Sequence, residues 1–405
     1  MPDRIAITGV GLISPLAAGA WPTFRALLDG ATIAARLEGL EGDPDPVSLV
    51  CAVGGVSVAR HTGVDPAAEL AERAVREALI ESGAGPRDVH CLLGMSKGAV
   101  HALTGAWLES VGAPPGAALP VSIPPRDAMR AVTLGPHGYV GYHLQQRLPG
   151  LRAMELHVAA CASGLTALHQ GRRRLLEEAP GRPDRVLVVS AEAALLPAFV
   201  HSYRRLGVLS PLTRAGYRGR PLDRRRDGFM LAEIGVAVVL ERVSAIGNEQ
   251  IELLDTAAAS GTSGIVEATP NVAALTHVAK RMMADREIAM LHPHATGTSQ
   301  YDPEELAIYG GVLAHGPPVD VYASKGALGH TLGAGGLVSL VLACLCLKAG
   351  RRPEMPWLDE PIETPGGPVR LSKASEIDAR PDGCHAVFAA GFGGAVAGAV
   401  IGSRA

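Results

Sequence analysis

The sequence alternates between short apolar runs and longer helical patterns, with Gly-rich turns between them. Runs of consecutive Val, Leu and Ile are typical of strands that are buried on both faces. Strands that alternate with helices predict an α/β fold in which helices cover both faces of the sheet. The predicted strands span residues 4–10, 90–95, 154–159, 185–190, 235–241, 288–291, 319–323 and 385–390. The predicted helices span residues 67–82, 163–178, 271–284 and 335–349.

Two stretches of the chain share one plan. Residues 156–176 and residues 321–348 each run from a strand, through a turn of small residues, into a helix. The first turn carries Cys161 and the second carries His330. No strict sequence repeat accompanies this similarity, so a duplicated architecture is a hypothesis.

The length of 405 residues fits two or three domain-sized units, or two halves that share one core. The predicted seam lies at residues 244–250, a largely polar stretch that follows an apolar strand. We therefore divide the chain into an N-terminal half, residues 1–247, and a C-terminal half, residues 248–405.

The composition excludes several classes of protein. Hydrophobic residues make up 47% of the chain and charged residues 19%, whereas disordered chains are poor in apolar residues and strongly charged. The 49 glycines follow no Gly-X-Y period, which excludes collagen. The formal net charge of −3 provides no overall attraction to nucleic acid or to an anionic membrane.

The cysteines favour a reducing compartment, the cytoplasm. They show neither a CxxC pair nor the Cys/His spacing of a zinc finger, so neither a disulfide framework nor a structural metal is expected. The six are scattered along the chain, at Cys51, Cys91, Cys161, Cys344, Cys346 and Cys384.

Two apolar segments need to be distinguished from export or membrane signals. Residues 5–20 are uncharged, but their Thr-Gly-Val-Gly run fits a strand that enters a turn better than a signal peptide. Residues 326–347 lack Asp, Glu, Lys and Arg, but five glycines and His330 interrupt them. The purely apolar part is too short to cross a bilayer, so a buried helix and a soluble protein are predicted.

Cys161 is a candidate nucleophile, because it lies where an apolar strand ends in a tight turn before a helix. The free amides and the dipole of a helix N-terminus stabilise a thiolate and lower the pKa of the thiol. Small neighbours would allow a substrate carbonyl to approach the sulfur. A buried packing cysteine is the alternative, and position alone does not decide between the two.

His294 follows a predicted strand and precedes Thr296 and Thr298, so one imidazole and two hydroxyls face a possible polar ligand. A surface loop histidine is the alternative. Further along, Asp302 is predicted to cap the next helix.

Lys325 and His330 lie in a Gly-rich turn before a wholly apolar helix. Burial of a lysine without a carboxylate partner is costly, which favours a functional site over an accidental arrangement. Phosphate binding is the rival interpretation, but the Gly-xxxx-Gly-Lys-Ser/Thr motif is absent.

After the last predicted strand, glycines 391, 393 and 394 flank Phe392 and would allow backbone amides to approach a ligand closely, although a simple turn is the alternative.

Together these segments resemble the β-ketoacyl-acyl carrier protein synthases, the condensing enzymes of fatty acid and polyketide biosynthesis. The resemblance covers nearly the whole chain and keeps the order of the family's motifs. Its motifs are IAITGVGLISP at residues 5–15, the Cys161 turn, PLDRRRDGF at 221–229, the two His segments at 292–298 and 324–330, and GFGG at 391–394.

The resemblance implies a thiolase-like fold with two similar α/β halves in five layers, usually as a homodimer. It implies that Cys161 takes an acyl chain from a carrier thioester, and that His294 and His330 hold the malonyl thioester while carbon dioxide leaves. Lys325 would support the two histidines, with Glu305 as its carboxylate partner. The remaining implied contacts to substrate are Thr296 and Thr298 to the phosphopantetheine arm, Phe392 as a gate and oxyanion donor, and the flanking Gly391 and Gly393.

Relatives within this fold differ in what accompanies the nucleophile. A degradative thiolase would have a second catalytic cysteine, but Cys384 is followed by His385 and Ala386. Initiating and chalcone-type synthases use Cys-His-Asn, whereas this chain has a second histidine. An enzyme that only transfers or hydrolyses acyl groups, and a non-catalytic chain-length partner subunit, remain as alternatives. Such partner subunits lack the nucleophilic cysteine.

Three departures from the family's pattern predict a specialised substrate. Ala295 stands where the pattern has glycine, and Tyr301 stands where a small or amide residue is common. Ala232 interrupts a Gly-Glu-Gly arrangement. None of them removes a catalytic group.

The resemblance also implies an acidic acyl carrier protein as partner, with acyl and malonyl thioesters as substrates and no resident metal or cofactor. Eight arginines and one acid between residues 204 and 226 are predicted to be a docking surface, although a solvated loop is the alternative. Arg172, Arg173 and Arg174 are consecutive on a helix and cannot all face one partner. A heterodimer with a homologous subunit remains possible.

Overall fold

A computed structural model describes residues 3–32, 35–36, 49–51, 63–111, 124–211, 219–247, 250–262, 264, 269–364, 367–374 and 383–403. Within these ranges the chain forms one long mixed sheet, one small sheet and a set of helices.

The first half contains eight strands and six helices among its described residues. The strands are β1 (Arg4–Ile13), β2 (Ala35–Arg36), β3 (Leu49–Cys51), β4 (His90–Gly94), β5 (Arg152–His157), β6 (Arg185–Glu192), β7 (Leu231–Ala232) and β8 (Ile234–Val243). The helices are α1 (Ala20–Leu28), α2 (Pro66–Ser82), α3 (Val100–Ser110), α4 (Pro125–Arg147), α5 (Ser163–Leu176) and α6 (Pro197–Arg205).

The second half has the remaining six strands and four α-helices of the described chain. The strands are β9 (Ile251–Ser260), β10 (Ile288–His292), β11 (Val319–Val321), β12 (Val369–Arg370), β13 (Cys384–Ala390) and β14 (Ala395–Ser403). The helices are α7 (Val272–Met283), α8 (Tyr301–Val312), α9 (Lys325–Leu328) and α10 (Gly335–Ala349), with a 3-10 turn at Leu332–Ala334.

The long sheet has the strand order β12-β11-β10-β13-β14-β9-β1-β8-β6-β4-β5, and the two halves of the chain occupy its two ends. In the first half β1 and β6 run antiparallel to β8, and β4 runs parallel to both β6 and β5. In the second half β9 and β13 run antiparallel to β14, and β10 runs parallel to both β13 and β11. The same topology therefore occurs twice, as the hypothesis of duplication predicts.

Within the long sheet the two halves are joined by a short antiparallel pairing of β1 with β9. Strands β1 and β9 pair only at Ala6 with Glu252 and at Ile7 with Ile251. Helices α5 and α10 contact each other and also contact strands of both halves, so they form a central layer between two strand layers. Helix α2 packs on β1 and β8, and α7 packs on β9 and β14, which completes the five layers of a thiolase-like fold.

The segment Leu332–Ala349, which comprises the 3-10 turn and α10, is the one helical stretch among the described residues that is long and apolar enough to cross a membrane. Its residues 335–346 are all buried inside the protein, against the neighbouring strands and α5. The prediction of a buried core helix for this segment is confirmed, because strands of both halves and helices α1 and α5 pack around it.

The sequence pattern located the strands rich in Val, Leu and Ile and missed several other strands and helices. All eight predicted strands exist, with ends shifted by a few residues. Strands β9 and β14 and helices α1, α3, α4 and α6 were not predicted. Ala and Gly make up five of the nine residues of β14, and β9 combines Glu252 and Asp255 with a run of three alanines, so neither sequence shows a clear strand pattern. The pairing of β14 with β9 and with β13 stabilises both strands.

Gly94 allows helix α5 to approach the end of β4 closely. A Cβ atom at this position would lie 2.5 Å from the Ser163 carbonyl oxygen and 2.8 Å from the Ala167 Cβ. Backbone atoms at such distances cannot move aside cheaply. The start of α5, and with it the Cys161 turn, is therefore fixed against the first half of the sheet.

We predict that Gly94→Ala lowers the free energy of unfolding by roughly 1–3 kcal/mol, because the methyl group overpacks this contact. Gly311→Ala is the matched control, since Gly311 is exposed near the end of α8 and a Cβ there meets nothing within 4 Å. It should be neutral or stabilising by up to about 1 kcal/mol. Chemical denaturation measures both, and equal effects of the two changes would contradict this account of the packing.

Candidate active site

One cavity collects most of the predicted site residues at the junction of the two halves. Its floor contains Cys161, His294 and His330, and its walls contain Thr296, Thr298 and Phe392. The remaining lining residues are Val208, Phe229, Thr269, Pro270, Asn271, Tyr301, Ala390, Gly391, Gly394, Ala395 and Val396. A thiol, two imidazoles and two hydroxyls thus share one cavity.

Cys161 lies in a tight turn between β5 and α5. The residue before it, Ala160, has a φ of 46°, a left-handed conformation that costs free energy for any residue with a Cβ. Ser163 closes the turn, because its hydroxyl donates to the Ala160 carbonyl at 2.6 Å and accepts from the Ala159 amide at 2.8 Å. This turn directs a buried thiol into the cavity.

The predicted lowering of the Cys161 pKa is wrong for this structure. Burial and, to a smaller extent, the Glu192 carboxylate raise the pKa of the thiol to about 12 against the opposing effect of Lys325 and Lys97. Cys161 lies two residues before the first residue of α5, and the amides of Ala162 and Ser163 already donate to carbonyls within the turn. The resting sulfur is therefore a thiol, not a thiolate.

The two histidines are close neighbours and both are neutral. The ring centroids of His294 and His330 lie 5.4 Å apart with an interplanar angle of 80°. Burial lowers the pKa of each imidazole well below its usual range, and the charge of Lys325 lowers both further. At neutral pH each ring therefore provides one N–H donor and one acceptor nitrogen.

Glu305 and Lys325 hold the backbone of His294 from two sides. The Glu305 carboxylate accepts from the amide of His294 at 2.7 Å and from the amide of Ala295 at 2.8 Å, and Lys325 Nζ donates to the carbonyl oxygen of His294. The two charges attract each other, but they do not form the direct ion pair that the resemblance implied. Burial raises the pKa of Glu305 and lowers that of Lys325.

The backbone after His294 is fixed by a second buried carboxylate. Asp302 accepts from the Gly297 amide at 3.0 Å and from the Leu222 amide at 2.8 Å. The prediction that Asp302 caps the next helix is wrong, because α8 already begins at Tyr301 and its N-cap is Gln300. The Asp302 side chain instead connects the His294 loop to the loop before β7.

Thr296 and Thr298 both lie on the cavity wall, and their hydroxyls are 3.1 Å apart. Ala295, at the position where the family pattern has glycine, adopts a φ of 33° and is fully buried. Arg226 donates to the carbonyls of Thr298 and Ser299 and so stabilises the end of this loop.

The closing glycine segment contacts the cysteine turn. A Cβ atom on Gly391 would lie 2.9 Å from the Cys161 amide nitrogen, so only glycine fits there. Phe392 lines the cavity and packs against the cluster that contains Cys161. Gly393 lies in the same turn but outside the cavity lining, whereas Gly394 is part of it.

Sequence reasoning gave no role to several residues that hold the site. Phe229 packs edge-on against His330 with centroids 4.8 Å apart, and the His330 amide donates to the Met230 carbonyl at 2.5 Å. The Ala232 amide donates to the His330 carbonyl at 3.1 Å, so a residue that departs from the family pattern still fixes the second histidine.

Glu192 is another missed residue, fully buried at the end of β6. Its carboxylate accepts from the amides of Ser96, Lys97 and Gly333, and so connects the β4 loop to the turn after His330. Burial raises its pKa to about 7. The sequence does contain a signal for this role: Glu192 is an acid at the end of a run of apolar strand residues, and a charge buried there requires hydrogen-bond partners.

The arginine-rich stretch is largely engaged with this chain itself. Arg225 pairs with Asp359 at 2.7 Å and Arg224 pairs with Glu363 at 3.1 Å. Arg220 lies 3.7 Å from Asp359. Arg214 and Arg218 lie outside the described residues. Much of the charge that predicted a docking surface is therefore already balanced by a loop of this chain.

Other predicted features can be compared directly with the structure. Arg172 pairs with Asp255 and Arg174 pairs with Glu155, so the consecutive arginines do point in different directions. Within the described ranges, no group of three His, Cys, Asp or Glu side chains is arranged to hold a metal ion.

Comparison with known proteins places this site in a family. Two family models match, the N-terminal domain of β-ketoacyl synthases over residues 2–245 and their C-terminal domain over residues 251–358. Together they cover most of the chain, including Cys161, His294, Lys325 and His330. The chain belongs to the β-ketoacyl synthase family.

Individual relatives agree with this assignment. The chain is 28% identical over 404 residues to the ketoacyl synthase alpha subunit of the tetracenomycin polyketide synthase of Streptomyces glaucescens, with 88% of each protein covered. It is 31% identical over 216 residues to erythronolide synthase of Saccharopolyspora erythraea, but those residues are only 7% of that protein.

Solved structures show the same fold. A type II polyketide acyl-carrier protein in complex with its ketosynthase superposes with a TM-score of 0.79 at 18% identity, and the ishigamide ketosynthase/chain length factor with 0.80 at 19%. Both matches cover 100% of each chain.

We predict that iodoacetamide alkylates Cys161 slowly at neutral pH and about tenfold faster for each unit of pH between about pH 7 and pH 10, because the thiolate is the reactive form and the pKa is raised. Peptide mass spectrometry at several pH values measures the rate, and Cys161→Ala identifies the peptide. A rate that stops rising below about pH 8 would show that the turn stabilises the thiolate after all.

Proposed function

We propose that this protein catalyses a decarboxylative Claisen condensation, in which an acyl group carried on Cys161 is joined to a malonyl thioester. The observation that supports this most strongly is the set of groups in one cavity: a buried thiol, two neutral imidazoles and two threonine hydroxyls. Acyl transfer requires the thiol, and stabilisation of an enolate requires the imidazoles.

The first half-reaction loads the thiol. The Cys161 sulfur attacks the carbonyl carbon of an acyl thioester, its proton passes to an acceptor such as a neutral imidazole nitrogen, and the carrier thiol leaves with a proton. Because the resting sulfur is protonated, this transfer is needed before or during the attack. The products are an acyl-Cys161 thioester and a free carrier thiol.

The second half-reaction forms the carbon–carbon bond. Loss of carbon dioxide leaves the electron pair of the broken bond on the malonyl thioester as an enolate, whose oxygen accepts hydrogen bonds from the imidazole N–H groups of His294 and His330. The enolate carbon attacks the acyl carbonyl, and the Cys161 thiolate leaves and regains a proton. Neutral imidazoles suit this step, because imidazolium groups would protonate the carbanion.

We assign the supply of both thioesters to an acyl carrier protein, in a fatty acid or polyketide pathway of the cytoplasm. The 3.1 Å pair of threonine hydroxyls on the cavity wall fits the amide groups of a phosphopantetheine arm. The substrate itself would bring this arm, so the proposal includes neither a resident cofactor nor a metal. Docking of the carrier on the basic stretch has less support, because Arg220, Arg224 and Arg225 are already paired with carboxylates of this chain.

Two alternatives use the same fold. A non-catalytic chain-length subunit would have no need of a thiol in the cavity, whereas Cys161 lies beside both histidines. An enzyme that only transfers or hydrolyses acyl groups would have no need for two neutral imidazoles around one oxygen site. The observed groups therefore favour condensation.

We predict that Cys161→Ala abolishes acylation by acyl-carrier thioesters, and that His294→Ala and His330→Ala lower condensation about 100- to 1000-fold by removing one donor each. Intact-protein mass spectrometry measures acylation, and release of labelled carbon dioxide from malonyl carrier measures the second step. Acylation should persist in at least one of the two histidine variants.

Wild-type protein that is never acylated by any acyl carrier would overturn the condensing-enzyme proposal and favour the partner subunit. Wild-type protein that is acylated, yet never releases carbon dioxide, would favour simple acyl transfer.

We further propose that two copies of this chain assemble through the edge strand β5. Among the described residues, strand β5 ends the long sheet and has β4 as its one neighbour, while Leu156 and the adjacent Val158 are 48% and 62% exposed. Helix α4, which packs against β5, adds exposed Met129 and Val132. The unpaired backbone N–H and C=O groups of an edge strand can pair with an equivalent strand, and β5 of a second copy of the chain provides one.

We predict that Leu156→Lys combined with Val158→Lys converts the dimer to a monomer, because two charges at the edge prevent strand pairing. Ile80→Lys is the control, since Ile80 is 81% exposed on α2, a helix that packs on β1 and β8. Sedimentation velocity measures the assembly. A wild-type protein that is monomeric alone and dimeric only with a homologous subunit would replace the homodimer by a heterodimer.

A further inference from the structure

Tyr301 is a bulky residue inside the cavity, at the position where the family pattern has a small or amide residue. It is the first residue of α8, is only 6% exposed and lines the cavity. Its ring stands edge-on to that of His294, with centroids 5.2 Å apart and an interplanar angle of 71°. The ring therefore contacts one of the two proposed donors to the enolate.

The hydroxyl group of Tyr301 is buried and has no hydrogen-bond partner in the described part of the chain. The nearby carboxylates are already engaged, because Glu305 binds two amides and Tyr309, and Asp302 binds the amides of Gly297 and Leu222. Burial raises the pKa of this phenol well above its usual range, and Glu305 and Asp302 raise it further. The group is thus an O–H donor without an acceptor.

Two other buried tyrosines, Tyr309 and Tyr322, each share only some of these properties of Tyr301. Tyr309 lies on the same helix, and its hydroxyl donates to Glu305 at 2.7 Å, so it has a structural role. Tyr322 also has a buried hydroxyl with no partner among the described residues, but it lies outside the cavity lining, beside His292. Tyr301 combines the unpaired donor with a place beside His294 in the cavity.

We propose that the Tyr301 hydroxyl donates a hydrogen bond to the oxygen of the malonyl thioester on which negative charge develops, as a third donor beside the two histidines. This inference rests on the proposed condensation. A buried donor without a partner is costly in the free protein, and an oxygen acceptor in the cavity satisfies it. The donor becomes most effective as carbon dioxide leaves, because charge on the oxygen is greatest at that stage.

The contribution of the Tyr301 hydroxyl can be tested separately from that of the ring. Tyr301→Phe keeps the ring and its contact with His294 and removes only the O–H group. If Tyr301 serves packing alone, Phe is equivalent or better, because it removes an unsatisfied polar atom. If the hydroxyl binds the developing oxyanion, kcat for release of carbon dioxide falls roughly 10- to 100-fold. The rate of Cys161 acylation, which does not involve this oxygen, stays unchanged.

The experiment compares wild type, Tyr301→Phe and Tyr322→Phe in three assays: acylation of Cys161 by acyl carrier, release of carbon dioxide from malonyl carrier, and thermal unfolding. Tyr322→Phe is the matched control, because it removes an equally buried unpaired hydroxyl outside the cavity. A loss of decarboxylation confined to Tyr301→Phe, with normal acylation and unfolding, supports the inference. Equal decarboxylation by wild type and Tyr301→Phe overturns it and leaves the proposed function intact.

The two proposals fail in different ways. A wild-type protein that is acylated but never decarboxylates malonyl carrier overturns the proposed condensation, and the role of Tyr301 falls with it. Loss of both acylation and decarboxylation in Tyr301→Phe, with a normal unfolding temperature, also overturns the inference, because the hydroxyl would then serve the first half-reaction.

Discussion

The buried carboxylate of Glu305 is the interaction on which the geometry of the site depends. It receives the amides of His294 and Ala295, and the left-handed backbone at Ala295 would be costly without such anchoring. Lys325 holds the same residue through its carbonyl oxygen. Two buried ionisable side chains thus hold one short segment, and removal of either would leave buried backbone groups of that segment without a hydrogen-bond partner.

Duplication explains why the site lies where it does. The first half contributes the turn after β5, and the second half contributes the turns after β10 and β11, which carry His294 and His330. Strands β5 and β11 are equivalent in the two halves, and the helices that follow them form the central layer. A Cβ on Gly164 would lie 3.0 Å from the Gly333 carbonyl oxygen, so the two turns approach each other as closely as their backbones allow. The nucleophile and the two histidines therefore come from different halves but share one cavity.

The sequence was sufficient for the strands rich in Val, Leu and Ile, for the core helices and for the thiol, imidazole and hydroxyl groups that meet in the cavity. Runs of Val, Leu and Ile indicate buried strands directly. Cys161 and His330 each lie in a turn of small residues, and such a turn between a strand and a helix is a recognisable sequence pattern. The supports were harder to predict. Glu192 and Met230 act on distant segments, and only tertiary contact determines which amide a buried carboxylate binds or which carbonyl accepts from His330. The role of Asp302 was misassigned because a local cap and a long-range anchor have the same sequence signature.

Burial has opposite consequences for the two kinds of catalytic group. It keeps the imidazoles neutral, as an enolate requires, but it also keeps the thiol protonated, which opposes its attack on a thioester. Lys325 and Lys97 lower the pKa of the Cys161 thiol, but burial and the Glu192 carboxylate outweigh them, so the cations of this site do not produce a permanent thiolate. Transfer of the thiol proton to a neutral imidazole during loading resolves this conflict, because charge is created only while substrate is present to share it.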